Sequence, residues 1–273
     1  MTKFSGDGQR SGRRAWFFSA ASALCACIVL VGAATLFAQR GFGGLGAFRG
    51  RTAVMPNPKY DGKFTFVRLR YGPATTFVSQ AIPWSHDYQA GEQHFMKILN
   101  ELTYLNPRTD ETSIFALDDP ELFKYPVAYL CEPGGWYMTD HEAVTFRAYL
   151  EKGGFLIVDD FRYQHWPNFE AQIHRVLPSA QIFDLDASNP IFHDAFFLIK
   201  DLEHIPNYYD LGRPIFRGIY EDNDPKKRLM VMINYNTDIS EYWEWSDTGL
   251  KPIDESNEAY KLGVNYIIYG MTH

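Results

Sequence analysis

Apolar positions along this chain alternate between short unbroken runs and helical spacings. Phe64, Phe66, Val67 and Leu69 form a first run. It ends at Tyr71-Gly72-Pro73, where glycine and proline break a strand. Phe95, Ile98, Leu99 and Leu102 then fall at i, i+3, i+4 and i+7, the spacing of an amphipathic helix. Residues 113–117 and 126–131 predict two more strands. The second is apolar on both faces, as strands of a helix-covered parallel sheet are, and Pro126 is tolerable as its first residue, where no ladder donor is needed.

Thr139, Asp140, His141 and Glu142 have the pattern of a capping box, in which the threonine hydroxyl and the glutamate carboxylate each take one backbone N–H at a helix start. Ala143, Phe146 and Leu150 give that helix one apolar face, and Gly153-Gly154 supplies its left-handed exit. Residues 155–158 then make a strand that right-handed crossover geometry sets parallel to 126–131. Further on, 169–177 predicts a short helix ended by Pro178, and 191–199, 214–220 and 228–235 predict strands. A closing helix at 258–271 presents Ala259, Leu262, Tyr266 and Ile267 to the sheet. The succession predicts an α/β fold in three layers, a mostly parallel sheet flanked by helices.

The N-terminal end has another character. Lys3, Arg10, Arg13 and Arg14 precede 24 uncharged residues, Ala15 to Ala38. As a helix this run reaches about 36 Å, enough for a bilayer core of about 30 Å. Residues 1–38 therefore read as a signal peptide or an N-terminal transmembrane anchor, with Gly32-Ala33-Ala34 and Ala38 as cleavage-type positions. Arg13-Arg14 loosely resembles a twin-arginine signal, although paired arginines there are commoner as plain positive-inside charge. Residues 39–60, rich in Gly, Arg and Pro, read as a tether, and 61–273 as a single α/β domain. The domain is expected to be exported and periplasmic, held at the inner membrane through residues 15–38 if they are not cleaved, with an envelope protein as a candidate partner.

Charge narrows the partners further. The chain has 26 Lys+Arg and 33 Asp+Glu; without residues 1–38 the balance is 22 to 32, a net of about −10. An acidic domain of this kind is a poor nucleic-acid binder. Cys25 and Cys27 lie in the uncharged run, so Cys131 is alone in the remainder and has no internal disulfide partner.

In open parallel sheets, ligands sit beyond the carboxyl ends of the strands. That rim carries Arg70 after the first strand, Glu132 and Trp136 after 126–131, and Asp159, Asp160 and Arg162 after 155–158, with His165 close behind. These seven are the candidate ligand-binding residues. Their carboxylates could orient a polar ligand or bind a hard cation; equally, Glu132 and Asp159 could pair with Arg68, Arg70 or Arg162 as structural ion pairs. Cys131 lacks the flanking glycines of a nucleophile elbow, because Tyr129 and Pro133 occupy those places, and it reads as a core residue. The eight histidines show no i, i+4 zinc pair, so no metal ligand set and no cofactor is assigned. Tyr235 to Trp245 mixes aromatics and acids, a composition suited to stacking a sugar or to packing a loop.

Several blocks together resemble the domain-of-unknown-function 4159 family: residues 64–70 (F-T-F-V-R-L-R), 126–130, the helix 142–150, 153–160 (G-G-F-L-I-V-D-D), Asn189-Pro190-Ile191-Phe192 and Leu262-Gly263-Val264-Asn265-Tyr266. The resemblance covers about 64–273. It implies bacterial, exported or membrane-linked proteins with a fold of the flavodoxin or class I glutamine amidotransferase kind, similar also to trehalose-utilisation-like proteins. It brings no activity and no catalytic residues, and the amidotransferase Cys-His-Glu triad has no counterpart at Cys131. Where many members carry a Gly-His pair, this chain has Glu132-Pro133-Gly134-Gly135-Trp136. Two functions are consistent with these features. The first is a non-catalytic envelope domain that binds a ligand or protein at the rim. The second is a hydrolase of a glycan or amide with Asp159 or Glu132 as general base, with or without a divalent metal.

Overall fold

The computed structural model describes residues 52–79, 81–205 and 212–273. The uncharged run 15–38 and the tether up to residue 51 lie outside the described residues, and so do the export and anchor expectations. Among the described residues no helix is long and apolar enough to cross a membrane.

Seven strands form the main sheet: β2 (Val67–Arg70), β4 (Ser113–Ala116), β5 (Val127–Cys131), β6 (Phe155–Phe161), β7 (Phe183–Asp184), β8 (Ile215–Tyr220) and β9 (Leu229–Tyr235). Their order is β4-β2-β5-β6-β9-β8-β7. The first five are mutually parallel, and β8 runs antiparallel to both β9 and β7. A small second sheet pairs β1 (Thr52–Ala53), inside the stretch read as a tether, with β3 (Phe77–Val78). Helices α1 (Ala90–Leu102), α2 (Asp140–Glu151), α3 (Trp166–Val176), α4 (Ile239–Glu244) and α5 (Ile253–Thr272) complete the chain.

Successive residues of the central strands enter opposite cores, as the period of two demands. Ala128, Leu130, Leu156 and Val158 meet Phe146 and Leu150 of α2 and Phe169 and Ile173 of α3. Val127, Tyr129, Cys131, Phe155 and Ile157 meet Phe95 and Leu99 of α1, Trp243 of α4 and Tyr266 of α5. Each Val, Leu, Ile or Phe side chain among them contributes about 1.5–3 kcal/mol when fully buried. Trp243 stacks on Phe95 with ring centroids 4.3 Å apart. Helix α5 crosses that stack at Gly263, where a Cβ would lie 2.6 Å from the indole.

Local signals held. The capping box of α2 forms as expected, with Glu142 N donating to Thr139 Oγ1 at 3.1 Å and Thr139 N to Glu142 Oε2 at 2.7 Å.

Three expectations change. Residues 191–199 are not a strand: Asn189 and Pro190 open a 3-10 turn, Pro190–Phe192, and the Asn265 side chain takes over the backbone groups of the segment, bonding Ile191 O, Phe197 N and Phe197 O. Ile191, Phe192 and Ile199 bury as a cover on the second core without needing a sheet neighbour, while Phe196 and Leu198 stay exposed. Residues 235–245 are not a loop but contain α4, whose Tyr242 and Trp243 are each 1% exposed; these aromatics pack inside the domain and cannot stack a sugar. Strand β6 does not stop at Val158 but runs through both aspartates to Phe161.

Candidate site at the carboxyl end of the sheet

Strand β6 contains one extra residue. Val158 pairs with Ile233 and Phe161 with Tyr235, so Asp159 and Asp160 together face Asn234 alone. Asp160 takes φ 49° to absorb the bulge, a left-handed conformation that aspartate adopts more readily than most residues. The bulge keeps Val158 and Phe161 in one core and sends the two carboxylates to different places, as bulges beside functional sites do.

Asp159 turns to the second face and is completely hydrogen-bonded. Its Oδ1 accepts from Asn234 Nδ2 at 2.9 Å and Ile239 N at 3.3 Å, and its Oδ2 from Ser240 N at 3.0 Å and Tyr129 Oη at 3.0 Å. Burial raises its carboxyl to about 6 against the pull of these donors. Asp159 thus anchors the first turn of α4, and among the described residues no arginine forms an ion pair with it.

Asp160 turns to the crevice between β5 and the loop before α1. His86 Nδ1 lies 2.8 Å from its Oδ2. Burial pushes the Asp160 carboxyl up, but the His86 hydrogen bond and charge, with Arg162 and His165 behind them, hold it below its usual value. Burial also pulls the imidazole down, yet Asp87 and Asp160 carry His86 up to about 10, so it is cationic at neutral pH.

The loop that presents His86 is fixed by a buried arginine. Arg68 on β2 donates through Nη1 to Trp84 O at 3.0 Å and His86 O at 2.8 Å, while its Nε meets Glu92 Oε1 of α1 at 2.5 Å. Burial pushes the Glu92 carboxyl up and Arg68 pulls it back.

Glu132 follows β5 in a left-handed conformation, φ 45°. Burial and then Asp160 push its carboxyl up to about 7, with His86 and Arg162 opposing. The Tyr71 hydroxyl lies 3.0 Å from Cys131 O and 2.8 Å from Glu132 O and pins this strand end. Next to it, the turn Pro133–Gly135 is held by Asn168 Nδ2, which donates to Pro133 O and Trp136 O. The His165 ring sits on Gly134, where a Cβ would meet it at 2.2 Å; its Nδ1 accepts from Arg162 N at 3.2 Å.

Of the seven sequence candidates, Glu132, Asp160, Arg162 and His165 gather at the crevice. Asp159 lies behind it in the hydrogen-bond network. Trp136 is 0% exposed and packs beside Phe169, so it belongs to the core, and Arg70 folds back onto Gly72 O at 2.8 Å. Cys131 is buried and free, its thiol pushed well up by burial, as a core residue is.

Sequence inspection does not bring out His86, Asp87, Asp238 and Ser240 as a group. Ser240 Oγ lies 2.6 Å from Asp87 Oδ2, 3.1 Å from Asp238 Oδ1 and 2.7 Å from Tyr129 Oη. Asp238 caps α4 by accepting from Glu241 N at 3.0 Å, and its spacing to Glu241 is a visible capping signal. One ligand-type atom each of His86, Asp87, Asp160 and Asp238 lies within 4.8 Å of the others. Glu241 and Glu244 form an adjoining group with Asp87; Lys251 Nζ stands 3.1 Å from Glu241 Oε1.

Among the described residues, two surface cavities lie away from this crevice. One of about 480 Å³, lined by Arg147, Pro178, Asp222 and Met230 among others, opens by the start of β9; one of about 370 Å³ lies beside Trp166, His174 and Arg217. Neither contains the acids with raised pKa described above, so the chemistry points to the crevice.

Residues 65–271 match a protein family described as a domain of unknown function, DUF4159. No curated protein matches the chain.

Proposed function

Since the chain belongs to the DUF4159 family, whose description carries no activity, we propose from the site itself that the domain binds a polar ligand at the carboxyl end of its sheet. The observation that carries this is the convergence of Glu132, His86, Asp160 and Arg162 on the crevice beside β2 and β5. Numbered along the chain, the five parallel strands have the order 2-1-3-4-5, which is the flavodoxin-type order, and its ligand crevice falls between the first and third strands, here β2 and β5. That order supports the finer likeness to flavodoxin and class I glutamine amidotransferase folds. The buried Cys131 argues against amidotransferase chemistry. The basic segment before the uncharged run 15–38 supports a position on the outer side of the inner membrane, with the crevice facing an envelope ligand.

A hydrolase is the second reading, favoured by the half-buried Glu132 carboxyl at the crevice mouth, a position suited to a general base. Asp159 is unsuited to that role because all its hydrogen bonds are spent on the fold.

A thermal-shift panel of sugars, nucleotides and small amides on the full-length chain tests both. Binding at the crevice predicts a ligand whose stabilisation of wild type, about 2.7 kcal/mol at a hundredfold excess over Kd, is lost in Glu132→Gln and Arg162→Ala. Equal shifts in wild type and both variants would remove the crevice from consideration. Turnover of that ligand, abolished by Glu132→Gln, would establish the hydrolase.

A further inference from the structure

We propose that the crevice holds one divalent transition-metal ion, bound by His86, Asp87, Asp160 and Asp238. This deepens the ligand-site reading and rests on it for the location of the crevice. The four residues come from three separate elements: the loop before α1, the bulge of β6 and the N-cap of α4. An ion with donors at about 2.0–2.2 Å holds neighbouring donors roughly 3 Å apart. His86 Nδ1 stands 2.8 Å from Asp160 Oδ2 and 3.5 Å from Asp87 Oδ1, and the four ligand-type atoms fit within a 4.8 Å span.

The second observation is independent of spacing. Among the described residues, Asp87 Oδ1 and Asp238 Oδ2 are buried with no hydrogen-bond partner, on residues only 0% and 7% exposed. The donors that bond these two carboxylates are already shared. The Ser240 hydroxyl carries one proton and stands between Asp87 Oδ2 and Asp238 Oδ1. Glu241 N serves Asp238 Oδ1, and Arg68 is spent on Glu92 and two carbonyls. Buried carboxylate oxygens are rarely left bare, because an unmet acceptor costs free energy. A cation between Asp87, Asp160 and Asp238 supplies what the protein does not.

The donor set also selects the ion. One imidazole with three carboxylates suits Zn²⁺, Mn²⁺ or Fe²⁺ better than the all-oxygen cations Ca²⁺ and Mg²⁺. His86 would bind through Nδ1 as the neutral ring, and the proton that it now directs at Asp160 would leave to solvent.

The test is calorimetric titration of the full-length, chelator-stripped chain with ZnCl₂ and MnCl₂, and separately with CaCl₂ and MgCl₂. The expected result is one ion per chain, with Zn²⁺ or Mn²⁺ held at least about tenfold more tightly than Ca²⁺ or Mg²⁺. His86→Gln and Asp238→Asn should each weaken it by about a hundredfold or more. Asparagine is a good N-cap, so metal-free Asp238→Asn should melt no lower than metal-free wild type while losing the rise in Tm that the ion gives. An absence of binding by wild type, or unchanged affinity in both variants, would overturn the proposal. Either outcome is separable from the ligand-site reading, since a polar ligand that stabilises wild type but not Glu132→Gln would still mark the crevice.

Discussion

Two clusters of buried charge lie at the same end of this sheet, and they differ in how completely they are satisfied. In one, Asp159 accepts four hydrogen bonds and Arg68 meets Glu92 and two carbonyls, with Glu92 Oε2 the one carboxylate oxygen left bare there among the described residues. In the other, His86 faces Asp87 and Asp160, and one oxygen each of Asp87 and Asp238 has no hydrogen-bond donor among the described residues. Asp159 and Asp160 are chain neighbours and equally buried, yet they fall on opposite sides of this divide. Burial therefore does not separate scaffold from site; what does is where the partners come from, backbone and side-chain donors of the fold for Asp159 and the crevice imidazole of His86 for Asp160.

The largest effect should come from opening the closed cluster. Arg68→Met leaves Glu92 buried without its cation and frees the loop that carries His86, so unfolding in urea should show a loss of about 3–5 kcal/mol. A smaller loss, under about 1 kcal/mol, would mean that the pair is incidental and that the contrast between the clusters is overdrawn. Asp159→Asn is next. The amide offers one acceptor oxygen where four donors now converge, so stability should fall by about 2 kcal/mol. Affinity for a crevice ligand should fall much less, which would sharpen the assignment of Asp159 to the scaffold.

A third test is pH dependence, measured by thermal unfolding of chelator-treated protein between pH 8.5 and 5.5. Glu132 is raised from 4.5 to about 7 and Asp159 from 3.8 to about 6. A carboxyl raised by folding adds stability when protonated, so these contributions grow as pH falls through the folded values and are gone above them. His86, raised from 6.5 to about 10, contributes fully below 6.5 and loses its share as pH rises toward 10. Asp160 has the opposite sign, but its pKa is lowered from 3.8, so its share is lost only below this range. The chain should therefore melt higher at pH 5.5 than at 8.5, by about 2–4 °C for each kcal/mol regained. Glu132→Gln should flatten the slope around pH 7; an unchanged slope would remove Glu132 from the open cluster.

What the sequence made legible was local. Thr139 and Glu142 specify a helix start within four residues, and the two-sided run to Cys131 specifies a covered parallel strand, so the α/β class followed from short-range patterns. The segment 191–199 misled because its apolar residues fit either a strand or a buried cover, and the Asn189-Pro190 cap decided for the cover. The site was only half visible. Glu132, Asp160, Arg162 and His165 sit at or just beyond the ends of strands, where a rule of position finds them. His86 and Asp87 lie in a loop without period, and Asp238 is seen as a helix cap. Their meeting is set by the crossing of β2, β6 and α4, which no spacing along the chain encodes.

Removing Asp160 would leave Val158 and Phe161 two positions apart, the separation of same-face neighbours in an unbroken strand. The ladder to β9 would then pair residue for residue, with no bulge. The length of this one strand end thus sets where the crevice acid stands, while the alternation on either side of it sets the cores.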